Sequence, residues 1–237
     1  MTRCVLTDIE GTLGPVAFVR EVLFPYAAAA LPRFVRRHAG DPPVAALLAE
    51  AAALGGVPAE DLGQVTGCLL DWIAADAKVT PLKALQGLVW EDGYRGGHFR
   101  AEVYPDALER LKSWHAAAVP VHVYSSGSIR AQELYFAHTF DGDLRPLFSG
   151  FFDTTSGPKQ DPDSYRRIRA CVGVQAQDLL FLSDLTPELD AAAAAGLHTT
   201  WLVRPADTTA DEAQLRLSRH PIARSFAEVR WPAGPIT

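Results

Sequence analysis

Residues 4–12 read CVLTDIEGT, and this stretch decides the fold. Cys4 to Thr7 is a short β-prone run that stops on a carboxylate, Asp8. Gly11 then gives the chain a place to turn sharply. The run shows no polar alternation, so it predicts a strand covered on both faces, as in a parallel sheet. The design recurs downstream. Residues 121–124 (VHVY) run into Ser125, Ser126 and Gly127, and residues 179–182 (LLFL) run into Ser183 and Asp184. A fourth run, 199–203 (TTWLV), ends at Arg204 and Pro205.

Helical patterns alternate with these strands. Residues 105–115 place Ala107, Leu108 and Leu111 on one face, with Pro105 suited to a first turn. Residues 128–138 form a second helix with Ser128 as its N-cap, and 161–170 and 186–195 two more, the last ended by Gly196. Such alternation predicts βαβ units and a doubly wound α/β domain. In that architecture the chemistry lies beyond the carboxyl ends of the strands. Three of the four runs end there in polar, reactive side chains.

Between residues 14 and 100 the sequence turns wholly helical. The expected helices are 18–38, 44–54, 59–77 and 81–90, rich in Ala, Leu, Glu and Arg and separated by Gly, Pro and Asp. The domains predicted are therefore an α/β core of 1–13 with 101–237, and an all-helical insertion of 14–100.

Composition narrows the class. The net charge is −6, which argues against a basic surface and against nucleic acid as a partner. Three widely spaced cysteines, Cys4, Cys68 and Cys171, contain no CxxC pair, so neither zinc nor a disulfide framework is indicated. A reducing cytoplasm is the expected compartment. The first strand starts too early for a signal peptide, and no apolar stretch reaches the roughly 18 residues of a membrane span.

The strand ends assemble a chemical inventory. Asp8 and Glu10 sit two apart, Asp184 lies at another end, and Glu188 and Asp190 follow on the next helix. Clustered carboxylates of this kind suit Mg²⁺, although Glu188 and Asp190 read more simply as helix first-turn charges. Ser125, Ser126 and Gly127 offer hydroxyls and backbone N–H groups for a phosphate. Lys159, in Ser156-Gly157-Pro158-Lys159, adds a point positive charge on a loop. A metal site, a carboxylate nucleophile, an acid and two phosphate holders are what phosphoryl transfer to a carboxylate requires.

The order Asp8-Ile9-Glu10-Gly11-Thr12, Ser125-Ser126-Gly127-Ser128, Lys159, Ser183-Asp184 resembles the haloacid dehalogenase superfamily. Its second acid is usually Asp, and here it is Glu10. The segments VLTDIEGT (5–12), FVREVLFPY (18–26), KVTPLKALQGLVWEDGY (78–94), VYPD (103–106), YSSGS (124–128), GPK (157–159) and FLSD (181–184) resemble one branch, the enolase-phosphatases of methionine salvage. They run through the helical insertion as well as the core. Leu13-Gly14-Pro15 stands where that branch has a Thr/Ser-rich stretch.

The resemblance implies a Rossmann-like parallel-sheet core with an inserted all-helical cap. It implies a Mg²⁺ enzyme that enolises 2,3-diketo-5-methylthiopentyl-1-phosphate and then removes its phosphate to give an acireductone. Asp8 and Glu10 are the catalytic pair it implies. Its metal residues fall on Asp8, Glu10 (through the backbone carbonyl) and Asp184, and its substrate residues on Ser125, Ser126 and Lys159. A monomer acting on a small phosphate ester is expected. Phe18, Phe24 and Trp90 are read as core of the insertion, with a thioether pocket as the alternative. The rival readings are a phosphatase for another small ester, a dehalogenase and a non-catalytic phosphate-binding scaffold. A dehalogenase needs neither Glu10 nor Asp184.

Overall fold

The computed structural model describes residues 3–75, 77, 79–205, 207 and 210–231. Lys78, the first residue of the 78–94 segment, and Asp76, inside the expected 59–77 helix, lie outside the described residues. The chain divides into two compact units, Met1–Val16 with Ala101–Thr237, and Ala17–Arg100.

The first unit is built on a six-stranded sheet in the order β3-β2-β1-β4-β5-β6, with every pair parallel. The strands are β1 (Cys4–Thr7), β2 (Val121–Tyr124), β3 (Gly150–Phe152), β4 (Leu179–Ser183), β5 (His198–Leu202) and β6 (Ile222–Ala223). All of β1 and β4 is buried, which is why their sequences lack alternation. Helices α5 (Pro105–Ala116), α6 (Ile129–Ala137), α7 (Pro162–Val172) and α8 (Thr186–Ala194) supply the covering layers. Ser128 caps α6, its hydroxyl accepting from Ala131 N at 3.2 Å. Gly196 follows α8 in the left-handed region at φ +88°.

The chain runs β1 to β2 to β3 on one side, then returns to β4 on the other side of β1. Strand order therefore reverses at β1, and the ends of β1 and β4 flank the crevice where such sheets bind ligands. Two strands, β3 and β6, had no counterpart in the sequence reading. They have three and two residues, too few for a hydrophobic period to declare itself. Strand β5 begins one residue earlier than expected, at His198.

The second unit is all helical. Its helices are α1 (Phe24–His38), α2 (Pro42–Gly55), α3 (Leu62–Ala74) and α4 (Thr80–Arg95). Leu31, Val35, Leu48, Leu69, Leu85 and Val89 bury their side chains between them. The expected single helix over 18–38 starts instead as a π-helical turn, Phe18–Leu23, in which Phe24 N donates to Val19 O five residues back. Pro25 has no N–H to continue an α ladder at that point, so the register shifts there. The expected 59–77 helix starts later, at Leu62, because Asp61 caps it by accepting from Gln64 N at 3.0 Å. Phe18 packs edge-on to Phe99, and Phe24 contacts Trp90, whose indole donates to Leu23 O at 2.9 Å. These contacts all lie inside the unit, with Phe18 buried and Phe24 and Trp90 half-buried. No described helix is long and apolar enough to cross a membrane.

Candidate active site

Asp8 follows the last residue of β1, and its N–H donates to Leu182 O of β4 at 2.9 Å, extending the sheet by one step. Its carboxylate oxygen Oδ1 accepts from Ile9 N at 2.8 Å, and the residue is 5% exposed. The chain then folds into a tight turn in which Leu13 N and Gly14 N both donate to Ile9 O, at 2.8 and 2.9 Å. Gly11 is required there twice over. Its φ is +68°, and a Cβ on it would lie 2.4 Å from Asp184 Oδ2. The close approach of that turn to Asp184 places the two strand ends side by side.

Lys159, on the loop after β3, is 7% exposed. Its ammonium lies 2.7 Å from Asp8 Oδ1 and 2.7 Å from Glu188 Oε2. Tyr165 of α7 donates to the Lys159 carbonyl at 2.7 Å, Tyr124 donates to Gly157 O at 2.8 Å, and the Tyr124 ring stands 5.8 Å from the ammonium. These contacts fix both the backbone and the head of the lysine. Ser183 at the end of β4 donates to Glu188 Oε2 at 3.0 Å and accepts from Leu185 N at 3.1 Å.

Two buried carboxylates, Asp8 and Glu188, thus share one ammonium, and Asp184, half-buried, stands in their field. Burial first, then the charges of Asp8 and Glu188, push the Asp184 carboxyl up to about 7. Burial and the charge of Asp8 push Glu188 up to about 7 against the pull of Lys159 and the Ser183 hydroxyl. Burial alone would lower the lysine's pKa, but Asp8 and Glu188 outweigh it and raise it. The site therefore carries a surplus of negative charge that a bound cation would relieve.

The remaining expected residues occupy the same sheet edge. Ser125 is buried and Ser126 exposed in the turn from β2 into α6, and Gly127 N donates back to Ser125 Oγ at 3.1 Å. Glu10 is exposed on the turn after Asp8, its backbone bridged to Gly14. A cleft of about 490 Å³ is lined by Gly11 and Asp184 together with Trp201, Arg204 and His220, but not by Asp8 or Lys159.

A protein-family model described as haloacid dehalogenase-like hydrolase matches residues 2–196. The enolase-phosphatase E1 of Pseudomonas aeruginosa (strain UCBPP-PA14) is 52% identical over 227 residues, 96% of this chain and 97% of that one. That of Methylococcus capsulatus is 50% identical over 230 residues, 97% of this chain and 98% of its own. Among solved structures, the UTR4 (unknown transcript 4) protein of Saccharomyces cerevisiae is 33% identical with a TM-score of 0.81, over 97% of this chain and 100% of the yeast chain. The chain belongs to the enolase-phosphatase family of haloacid dehalogenase-like hydrolases. It is an enzyme of the phosphatase kind.

Within this enolase-phosphatase, sequence reasoning passed over one residue that the structure brings to the centre. Glu188 was read as a helix charge, yet it faces Lys159. The available signal was its place in the first turn of α8, which directs a side chain back toward the end of β4. Asp190, read the same way, points elsewhere and meets His220 Nε2 at 3.1 Å. Tyr124 and Tyr165 were also missed, because an apolar ring at strand or helix spacing reads as core.

Proposed function

We propose that this enzyme converts 2,3-diketo-5-methylthiopentyl-1-phosphate to an acireductone and inorganic phosphate, acting as a monomer in the cytoplasm. The observation that carries this reading is identity near 50% to enolase-phosphatases over almost the whole chain, helical unit included. Core motifs alone would support only a hydrolase of this fold.

The geometry at Asp8 supports the chemistry. Its Oδ1 is occupied by Lys159 and Ile9 N, which orients the carboxylate and leaves the other oxygen to attack phosphorus. The P–O bond to Asp8 forms as the bond to the substrate's ester oxygen breaks. Glu10, exposed two residues on, protonates that leaving oxygen and then takes a proton from the water that cleaves the aspartyl-phosphate. Lys159 and the Ser125–Ser126 turn hold the phosphoryl oxygens. The helical unit serves as the cap that selects the substrate's thioether end.

Mg²⁺ fits the donor set. The Asp8 turn lies against Asp184 Oδ2, and burial and the neighbouring carboxylates raise the Asp184 pKa. Mg²⁺ is usually held by one or two such carboxylates with waters and phosphate oxygens. Asp8, Asp184 and the Glu10 carbonyl would hold it, and when bound it neutralises the charge shared by carboxylate and phosphate. The deciding experiment is product analysis on the diketo phosphate beside a panel of other phosphate esters. Faster turnover of another ester would reassign the substrate and leave the phosphatase chemistry standing.

A further inference from the structure

The turn Ser125–Ser128 can cradle a phosphate only while its backbone keeps one course. Gln132, one turn into α6 and 2% exposed, holds that course. Its amide nitrogen donates to Gly127 O at 2.8 Å and to Phe152 O, at the end of β3, at 2.9 Å. Two carbonyls demand two N–H donors, and a primary amide has two on one nitrogen, so chemistry fixes which way this amide faces. Phe152 O accepts from Ser125 N as well, at 3.2 Å, so one carbonyl fastens the first residue of the turn and the brace together.

The amide's other end shows that packing alone does not account for the residue. Gln132 Oε1 is buried with no hydrogen-bond partner among the described residues. An unsatisfied buried acceptor is destabilising, and a Met of similar shape would avoid it. What Gln132 supplies instead is orientation. In a trans peptide the C=O and the following N–H point in opposite directions. With the Gly127 carbonyl drawn to Gln132, the Ser128 N–H is turned away from Gln132. Asp153 secures the next step, its Oδ2 accepting from Ile129 N at 3.1 Å and its Oδ1 from Thr155 N at 2.9 Å.

We propose that Gln132 is a positioning residue for the transferred phosphoryl group, acting through the turn and not by contact. The inference rests on the phosphatase reading above. The probe is inorganic phosphate, titrated by calorimetry into the magnesium-loaded enzyme. Gln132→Met is expected to weaken phosphate binding about tenfold, the worth of roughly one oriented hydrogen bond. Its Mg²⁺ affinity should stay at the wild-type value, because Asp8 and Asp184 sit on other strand ends. Gln132→Glu keeps the shape but sets a carboxylate against two carbonyls, and should lose more.

Equal phosphate affinity in wild type and Gln132→Met overturns the brace and spares the phosphatase reading. A wild type that binds no phosphate overturns the brace, since the turn then holds nothing for Gln132 to position, while the phosphatase reading stands or falls by the product analysis. Parallel loss of phosphate and Mg²⁺ affinity shows general loosening and overturns the brace, as does failure of both variants to fold, since a brace for one turn does not decide the fold.

Discussion

At the scale of single residues, the site is a charge problem solved around Lys159. Removing its ammonium leaves Asp8 and Glu188 buried with nothing between them, and breaking a buried pair in this way costs about 3–5 kcal/mol. Lys159→Ala should therefore melt earlier than wild type and, at temperatures where it is folded, release phosphate at least about a hundredfold more slowly. Lys112→Ala, on an exposed position of α5, should do neither. Matching melting curves and rates in the two variants would make the Lys159 ammonium dispensable to both fold and chemistry. Glu188→Gln tests the residue that sequence reasoning set aside. It removes one of the two charges on Lys159 while keeping the shape, and kcat/KM should fall about tenfold. An unchanged kcat/KM would restore the first-turn reading of Glu188. Asp8, Lys159 and Asp184 were legible because each sits at a strand end or glycine turn that sequence marks. Glu188 was not, because its importance arises only when the β3 loop carries Lys159 back across the sheet.

At the scale of elements, the strand ends hold their positions through a tie that the motifs do not announce. Arg204, just past β5 and 7% exposed, donates to both oxygens of Asp106 at 2.9 Å and to Thr12 O at 2.9 Å. Asp106 lies in the first turn of α5 and also accepts from Phe226 N at 2.7 Å. The guanidinium stacks over Tyr104 at 4.1 Å. One arginine thus joins β5, α5 and the turn after Asp8. Sequence located strand, helix and turn separately, but a contact spanning 98 residues leaves no trace in a single chain's pattern. Burial alone would raise the pKa of Asp106, but Arg204 and the Phe226 N–H outweigh it and hold it below its ordinary 3.8. A depressed carboxyl stabilises the fold above the unfolded pKa and loses that contribution as pH falls through the folded one. Asp106→Asn should then lower stability at pH 7 by roughly 1–3 kcal/mol. The gap to wild type should close as denaturant melts are repeated at falling pH, through and below the usual carboxylate range. A gap that stays constant with pH would show that the carboxylate's charge contributes nothing.

At the scale of the whole molecule, the chain has two units and the proposed reaction two steps, and the position of the phosphate ester decides which unit supplies the enolising base. In the proposed substrate the hydrogen to be removed is on the carbon between the carbonyl and the phosphate ester oxygen. That oxygen must lie close to whatever protonates it on departure, and the acid proposed for this is Glu10. A base works only within hydrogen-bond reach of its proton, about 2.6–3.2 Å or one water away. Phosphate anchored as proposed by Lys159 and the Ser125 turn would hold the reacting carbon at the sheet edge, within the reach of one side chain of the Asp8 turn. The base should therefore belong to the sheet unit, and Glu10 should serve both steps. The consequence is separability by mutation. Asp8→Asn keeps the side-chain volume, removes the nucleophile and should release no phosphate, yet should still exchange the carbon-bound hydrogen when substrate and Mg²⁺ are incubated in heavy water. Glu10→Gln should lose exchange and phosphate release together. Proton NMR of the substrate reads the first step and a phosphate assay the second. Rapid exchange by Glu10→Gln would take the base away from Glu10 and make the helical unit the first place to look for it. Steady phosphate release by Asp8→Asn would remove the covalent step itself.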